Sequence, residues 1–205
     1  HYIMNKLIHA NRNNTSKELA RIPKDSGIEV DLRDSEKGLI LSHDPFSDGE
    51  LFENFIQNYE HKKIILNIKS ERIEYKVLEI LEKYQINDYF FLDSSFPMII
   101  DLSKKGIKNI AARISEFESI GSINLISERV NWIWLDSFNS FYLSKKEVKE
   151  IKELNLKTCL VSPELQGREH EIESYSSKMK SLGLKVDAIC TKFPNFPRWI
   201  DYINF

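Results

Sequence analysis

Cysteine, glycine and charge of one sign are all in short supply in this chain. Two cysteines in 205 residues do not make the disulfide framework of a small secreted domain. Cys159 and Cys190 each lie in an apolar run, where a thiol reads as a small buried hydrophobe of an intracellular, cytoplasmic protein. With only 7 glycines there is no glycine-rich phosphate loop, and neither a zinc-type Cys/His spacing nor a G-x-S-x-G elbow is present. The 29 basic and 31 acidic residues leave a net charge of −2, so no bulk field recruits nucleic acid or an anionic membrane. No apolar run approaches the ~18 residues of a membrane span, and no signal peptide is visible. What remains is 41% apolar and 29% charged, the balance of a soluble globular protein with a substantial core. The expectation is one domain over residues 1–205. Met4 reads as the natural start, and His1, in the three residues ahead of it, is given no function.

One pattern recurs along the chain: a short β-branched or aromatic run, then a longer segment of helical period. Eight such runs occur, at residues 5–10, 27–32, 63–69, 89–93, 107–113, 130–136, 157–162 and 186–192. Helices are predicted between them at 15–22, 71–84, 97–106, 145–154 and 168–183, with 51–60 filling the gap before the third run. The 97–106 segment ends at Gly106 and the 168–183 segment at Gly183, where a helix C-cap is expected. Strands alternating with helices argue for βα units and a parallel sheet. Eight of them closing on themselves predict a (β/α)8 TIM barrel, small and with short loops. The alternative is an open doubly wound sheet. GLILSH (38–43) is then an excursion from the second strand rather than a ninth barrel strand.

In such barrels chemistry sits at the carboxyl ends of the strands. Glu29 and Asp31, two residues apart, share one face of the second strand. His9 closes the first strand, and the excursion returns to the same rim at His43-Asp44-Pro45. Asn67 and Lys69 repeat the two-residue spacing on the third strand; Trp132, Trp134 and Asp136 do so on the sixth. Two carboxylates with an oxygen partner suit Mg²⁺ or Ca²⁺, and two histidines beside such an ion suit acid–base work near neutral pH.

These residues, in order, resemble the signature of the glycerophosphodiester phosphodiesterases. His9, Asn14-Thr15, Gly27-Ile28-Glu29-Val30-Asp31 and His43-Asp44 stand for H-R-G, E-N-T, G-(x)-I-E-x-D and H-D. Asn67-Ile68-Lys69 looks like the family's E-x-K, and Asp187 to Pro194 like its closing D-x-I-x-T-D-x-P. The resemblance implies a phosphodiesterase barrel of the phospholipase C-like type, active in lipid metabolism. It implies a divalent cation, Mg²⁺ or Ca²⁺, on Glu29, Asp31 and Asn67, with Asp136 able to restore a charge. His9 and His43 become the acid–base pair, and Lys69 a fixed positive charge beside the phosphate.

Three departures stand out: no arginine follows His9 in sequence, Asn67 replaces a carboxylate, and Lys192 replaces the acid of the closing motif. Arg12 or Arg113 can substitute as the phosphate contact, Lys192 joins the candidates, and Trp134 offers a flat wall for a headgroup. Glu164, Gln166 and Arg168 lie in a loop after the seventh strand that could meet substrate or simply turn into a helix. The expected partner is a small phosphodiester: a glycerophosphocholine-like headgroup, a lysolipid or a polysaccharide-linked diester. A catalytically silent barrel binding a phosphorylated or sugar ligand is the alternative. Retention of two histidines argues for the enzyme; Ala10 and Asn67 argue for the silent binder.

Overall fold

A computed structural model describes residues 4–10, 12 and 14–205; the segment ahead of Met4 lies outside them. The chain runs β1 (Leu7–Ala10), α1 (Ser16–Leu19), β2 (Gly27–Ser35), β3 (Gly38–Leu41), β4 (Glu50–Leu51), α2 (Phe52–Gln57), β5 (Ile64–Ile68), α3 (Glu74–Lys83) and β6 (Tyr89–Leu92). It continues through α4 (Phe96–Lys104), β7 (Ala111–Ile114), α5 (Ile120–Asn124), β8 (Trp132–Leu135), α6 (Lys145–Glu153), β9 (Lys157–Val161), α7 (Ile172–Leu182), β10 (Ala188–Thr191) and α8 (Phe196–Ile203).

Parallel ladders join β1 to β2, β2 to β5, β5 to β6, β7 to β8, β8 to β9, β9 to β10 and β10 back to β1. The remaining junction, β6 to β7, is one parallel bridge between Phe91 and Ile110. The result is the eight-stranded TIM-barrel-like ring expected from the apolar runs. β3 pairs antiparallel with the upper half of β2, from Leu32↔Leu41 to Ser35↔Gly38. It is the expected excursion, with β4 added on its far edge.

Strand alternation splits the apolar residues into two cores. Ile8, Ile65, Phe90, Trp132, Trp134, Cys159 and Cys190 fill the barrel interior. Leu7, Ile28, Val30, Leu66, Phe91 and Ile133 face outward and pack under the helices. The helices follow local rules. Ser144 and Glu147 form a capping box at the start of α6, which satisfies free amides at that end. α7 stops where Gly183 takes φ +65°, a conformation a Cβ disfavours. No helix among the described residues is long and apolar enough to cross a membrane.

Gly27 opens β2 for a steric reason. A Cβ there would lie 2.4 Å from the Lys63 carbonyl oxygen and 2.9 Å from Ile8 Cγ1, so the strand could pair with neither neighbour undisturbed. Gly27→Ala is expected to cost about 1–3 kcal/mol, the usual penalty of overpacking, read as a lowered midpoint in chemical denaturation.

Candidate functional site

In-register parallel partners point the same way, and this assembles the site. Ala10 pairs with Glu29 and Asp31 with Asn67, and all four side chains look into the barrel at its carboxyl end. They line a cavity of about 340 Å³ with Arg12, His43, Glu164, Leu165, Gly167 and Lys192. Acidic and basic groups therefore share one small volume: Glu29, Asp31 and Glu164 with Arg12, His43 and Lys192.

Each wall is held by contacts that the local sequence provides. β1 ends at Ala10, below Asp31. The Asn14 side chain takes over there: its Oδ1 accepts the Asp31 N–H at 2.8 Å and its Nδ2 donates to Asp31 Oδ2 at 3.0 Å. Asn14 adopts φ +53° to do so, a conformation Asn tolerates better than most side chains. Its Nδ2 also donates to the Arg12 carbonyl at 3.0 Å. Arg33 clamps the His43 loop to the end of β5, donating to the His43 carbonyl at 2.7 Å and the Lys69 carbonyl at 3.3 Å. Glu164, in the 3₁₀ turn Pro163–Gln166, accepts from the Ser162 and Thr191 hydroxyls and from the Lys192 N–H at 2.9 Å. It thereby fixes the loop that carries Lys192.

His43 Nδ1 lies 2.9 Å from Asp44 Oδ1. That bond holds the Asp44 carboxyl below its ordinary range. An ionised carboxylate only accepts, so Nδ1 is the donor of this pair and Nε2 is the ring nitrogen left for other partners.

Glu29 is pushed up to about 8, chiefly by burial and then by the charge of Asp31, with Lys69 opposing. Lys69 is therefore close enough to be felt at the site, although it does not line the cavity. Cys190 Sγ lies 3.9 Å from Glu29 Oε1, and burial pushes both interior thiols up. In cation-free protein the folded state holds the Glu29 proton more tightly than the unfolded chain does. Stability is therefore expected to fall as pH rises from about 4.5 to about 8,. Glu29→Gln should flatten that part of a stability–pH profile.

Among the described residues no group of three or more His, Cys, Asp or Glu side chains could hold a metal ion. The candidate set is Glu29, Asp31 and an amide oxygen. Asn67 Oδ1 is buried without a hydrogen-bond partner, and an unpartnered buried carbonyl oxygen is costly unless something binds it. An all-oxygen set with one such atom and a buried carboxyl beside a second carboxylate fits a hard cation,.

His9, the last residue of β1 but one, has the opposite parity to Ala10 and is not among the residues that line the cavity. His9 Nδ1 accepts the Phe193 N–H at 3.0 Å, and Nε2 stands 3.3 Å from Glu18 Oε1. Burial holds its pKa below the usual histidine range, against the pull of Glu18. A place near a strand end fixes where a residue lies along the barrel but not which face it takes. The cation of this segment that does reach the cavity is Arg12; Asn11 lies outside the described residues.

Three further candidates do not line the cavity either. Arg113 is engaged by Asp93 at 2.8 Å, Asp136 at 3.6 Å and Glu118 at 3.8 Å. Asp136 is buried, accepts from Gln166 Nε2 at 3.1 Å, and is raised by that burial. Trp134 is barrel core, edge-on to Phe90 at 6.4 Å, because an interior position one residue below the strand end meets side chains rather than solvent. Trp132 lies lower still, stacked on Phe90 at 4.8 Å. Of the 162–169 loop, Glu164 lines the cavity, while Arg168 is spent on Ser137, Glu171 and Tyr175. The signal for Glu164 was its place after a barrel strand; the signal for Asn14 was the resemblance of Asn14-Thr15 to E-N-T, and neither alone assigns a role.

No family model and no curated protein matches the chain. Solved structures do. A protein assigned as a glycerophosphoryl diester phosphodiesterase from Agrobacterium tumefaciens C58 superposes with a TM-score of 0.67 at 12% identity, over 97% of this chain and 98% of that one. A glycerophosphoryl diester phosphodiesterase from Parabacteroides distasonis gives 0.62 at 13% identity, over 96% and 86%. A glycerophosphodiester phosphodiesterase from Agrobacterium tumefaciens C58 gives 0.58 at 11%, over 96% and 98%. At such identities the likeness is one of architecture, end to end: the chain is built on the fold of the glycerophosphoryl diester phosphodiesterases.

Proposed function

We propose that the cavity binds a phosphodiester together with a divalent cation, Mg²⁺ or Ca²⁺, and hydrolyses it with His43 as the proton-transfer group. The observation that carries this reading is the convergence, in one cavity, of three oxygen donors with a histidine, an arginine and a lysine. Glu29, Asp31 and Asn67 would hold the ion, which would neutralise charge on a phosphoryl oxygen. Arg12 and Lys192 supply positive charge for the remaining phosphate oxygens, and Lys69 tempers the acidic wall. With Nδ1 occupied by Asp44, His43 Nε2 takes a proton from the attacking hydroxyl or water, or returns one to the leaving alkoxide.

The position of His9 favours a second reading. One histidine at the cavity in place of two is what a silent binder of phosphorylated ligands would keep. A hydrolysis screen over phosphodiesters with and without Mg²⁺, Ca²⁺ and Mn²⁺, in wild type and His43→Ala, separates them. Cation-stimulated turnover lost in His43→Ala supports the enzyme. Ligand binding by calorimetry with no turnover under any ion establishes the silent binder.

A further inference from the structure

Apart from the Phe91–Ile110 bridge, no ladder joins β6 to β7 among the described residues. Beside that thin junction a cleft of about 490 Å³ opens between the two strands and the helices that follow them. Its apolar walls include Leu92, Ile99, Ala112, Ile123 and Ile126, and its lip carries Phe96 and Phe117. Those two rings are 59% and 72% exposed, in a chain whose other phenylalanines include five that are buried. The volume is that of an ordinary small-molecule pocket. One end of the cleft is polar, lined by Asp93, Arg113 and Glu118, and Leu92 of the cleft is the in-register ladder partner of Asn67 of the polar cavity. The apolar cleft and the polar cavity therefore meet at the carboxyl ends of β5 and β6.

We propose that this cleft takes the alkyl or acyl chain of a single-chain amphiphilic phosphodiester whose phosphate lies in the polar cavity. The phosphate end of this ligand rests on the function proposed above; the chain end rests on the cleft alone. The occupant is an apolar chain rather than a protein segment because a cleft of about 490 Å³ has the volume of a small-molecule site, and beyond Asp93, Arg113 and Glu118 its lining carries no charge,. A chainless diester would leave Phe96 and Phe117 facing water; a chain of several methylenes would cover them. The selectivity follows from area: each buried methylene is worth about 0.8 kcal/mol, or about fourfold in affinity.

The test is calorimetric titration, below micellisation, of glycerophosphocholine, of butyl-, hexyl- and octylphosphocholine, and of octanol as a chain without phosphate. Affinity should rise about fourfold per methylene in the wild type. Ala112→Phe should fill the cleft and remove the chain-length dependence while leaving glycerophosphocholine binding unchanged. Phe117→Ser, at an exposed position that does not endanger folding, should shrink the increment. Equal affinity for butyl and octyl chains in the wild type overturns the proposal. So does a chain-length dependence that survives in both variants. If glycerophosphocholine does not bind but octanol does, and Ala112→Phe blocks it, the cleft stands and the phosphodiester reading of the cavity fails.

Discussion

His43→Ala is expected to lower phosphodiester turnover by about 10²–10⁴-fold, the usual worth of a positioned proton-transfer group, and to leave the fold intact. The side chain is 37% exposed and its one side-chain partner among the described residues is the neighbouring Asp44, so little packing goes with it. His9→Ala should behave in the opposite way. His9 is 6% exposed and joins β1, α1 and the turn after β10 through Glu18 and the Phe193 N–H. Losing it leaves a buried donor unpaired, a cost of about 1–3 kcal/mol, while turnover changes only as far as the Lys192 loop shifts. Steady-state kinetics and denaturation on both variants check this. If His9→Ala loses as much turnover as His43→Ala with unchanged stability, the assignment of a single catalytic histidine at the cavity is wrong.

The contrast between the two histidines shows what was legible in the sequence. Barrel strands announce themselves because both faces are buried, so VNWIWLD or KIILNIK reads as a strand with no tertiary information. The E-x-D spacing was equally informative: period two puts Glu29 and Asp31 on one face wherever the strand begins. Which face looks inward is a different matter. It depends on register against neighbours, and for the four-residue β1 a one-residue offset decides whether His9 or Ala10 meets the cavity. Glu164 and Asn14 could be named from the sequence but their roles could not, since each acts through partners distant in sequence: Glu164 through Thr191 and Lys192, Asn14 through Asp31.

Helices divided in the same way. α3, α6 and α7 carry the 3.6-residue period and were readable. α8 was not, because FPRWIDYI has Pro197 in its first turn and buries only Phe196, Trp199 and Tyr202, a stripe too short to stand out. α5, five residues long, has no periodicity to read. The arginines separate by reach: Arg12 and Arg113 were equal candidates for the phosphate, and only the ladder positions show that Arg113 faces Asp93, Glu118 and Asp136.

Removing the charge of Asp31 should have the largest effect on the cation. Two carboxylates and an amide oxygen form a weak site for a divalent ion, because affinity follows the charge of the ligands. The wild-type protein alone is expected to bind Mg²⁺ or Ca²⁺ weakly, and more tightly with a phosphodiester present, since phosphate oxygens complete the shell of such ions. Asp31→Asn should abolish cation-stimulated turnover and reduce binding below detection. Asn67→Asp should strengthen binding in the absence of ligand, both by adding charge and by replacing an amide whose oxygen has no partner. Asn14→Ala should weaken binding by about 10–100-fold, as loss of a residue that orients a metal ligand does, because the Asp31 carboxylate loses the 3.0 Å bond that aims it. Calorimetric titration of both ions into the four proteins orders them: Asn67→Asp above wild type, wild type above Asn14→Ala, and Asp31→Asn last. If Asp31→Asn binds either ion as well as wild type does, Glu29 and Asp31 are not the cation site. The buried Asn67 oxygen would then need another partner, and the cavity would be better read as a binder of phosphorylated ligands held by Arg12 and Lys192.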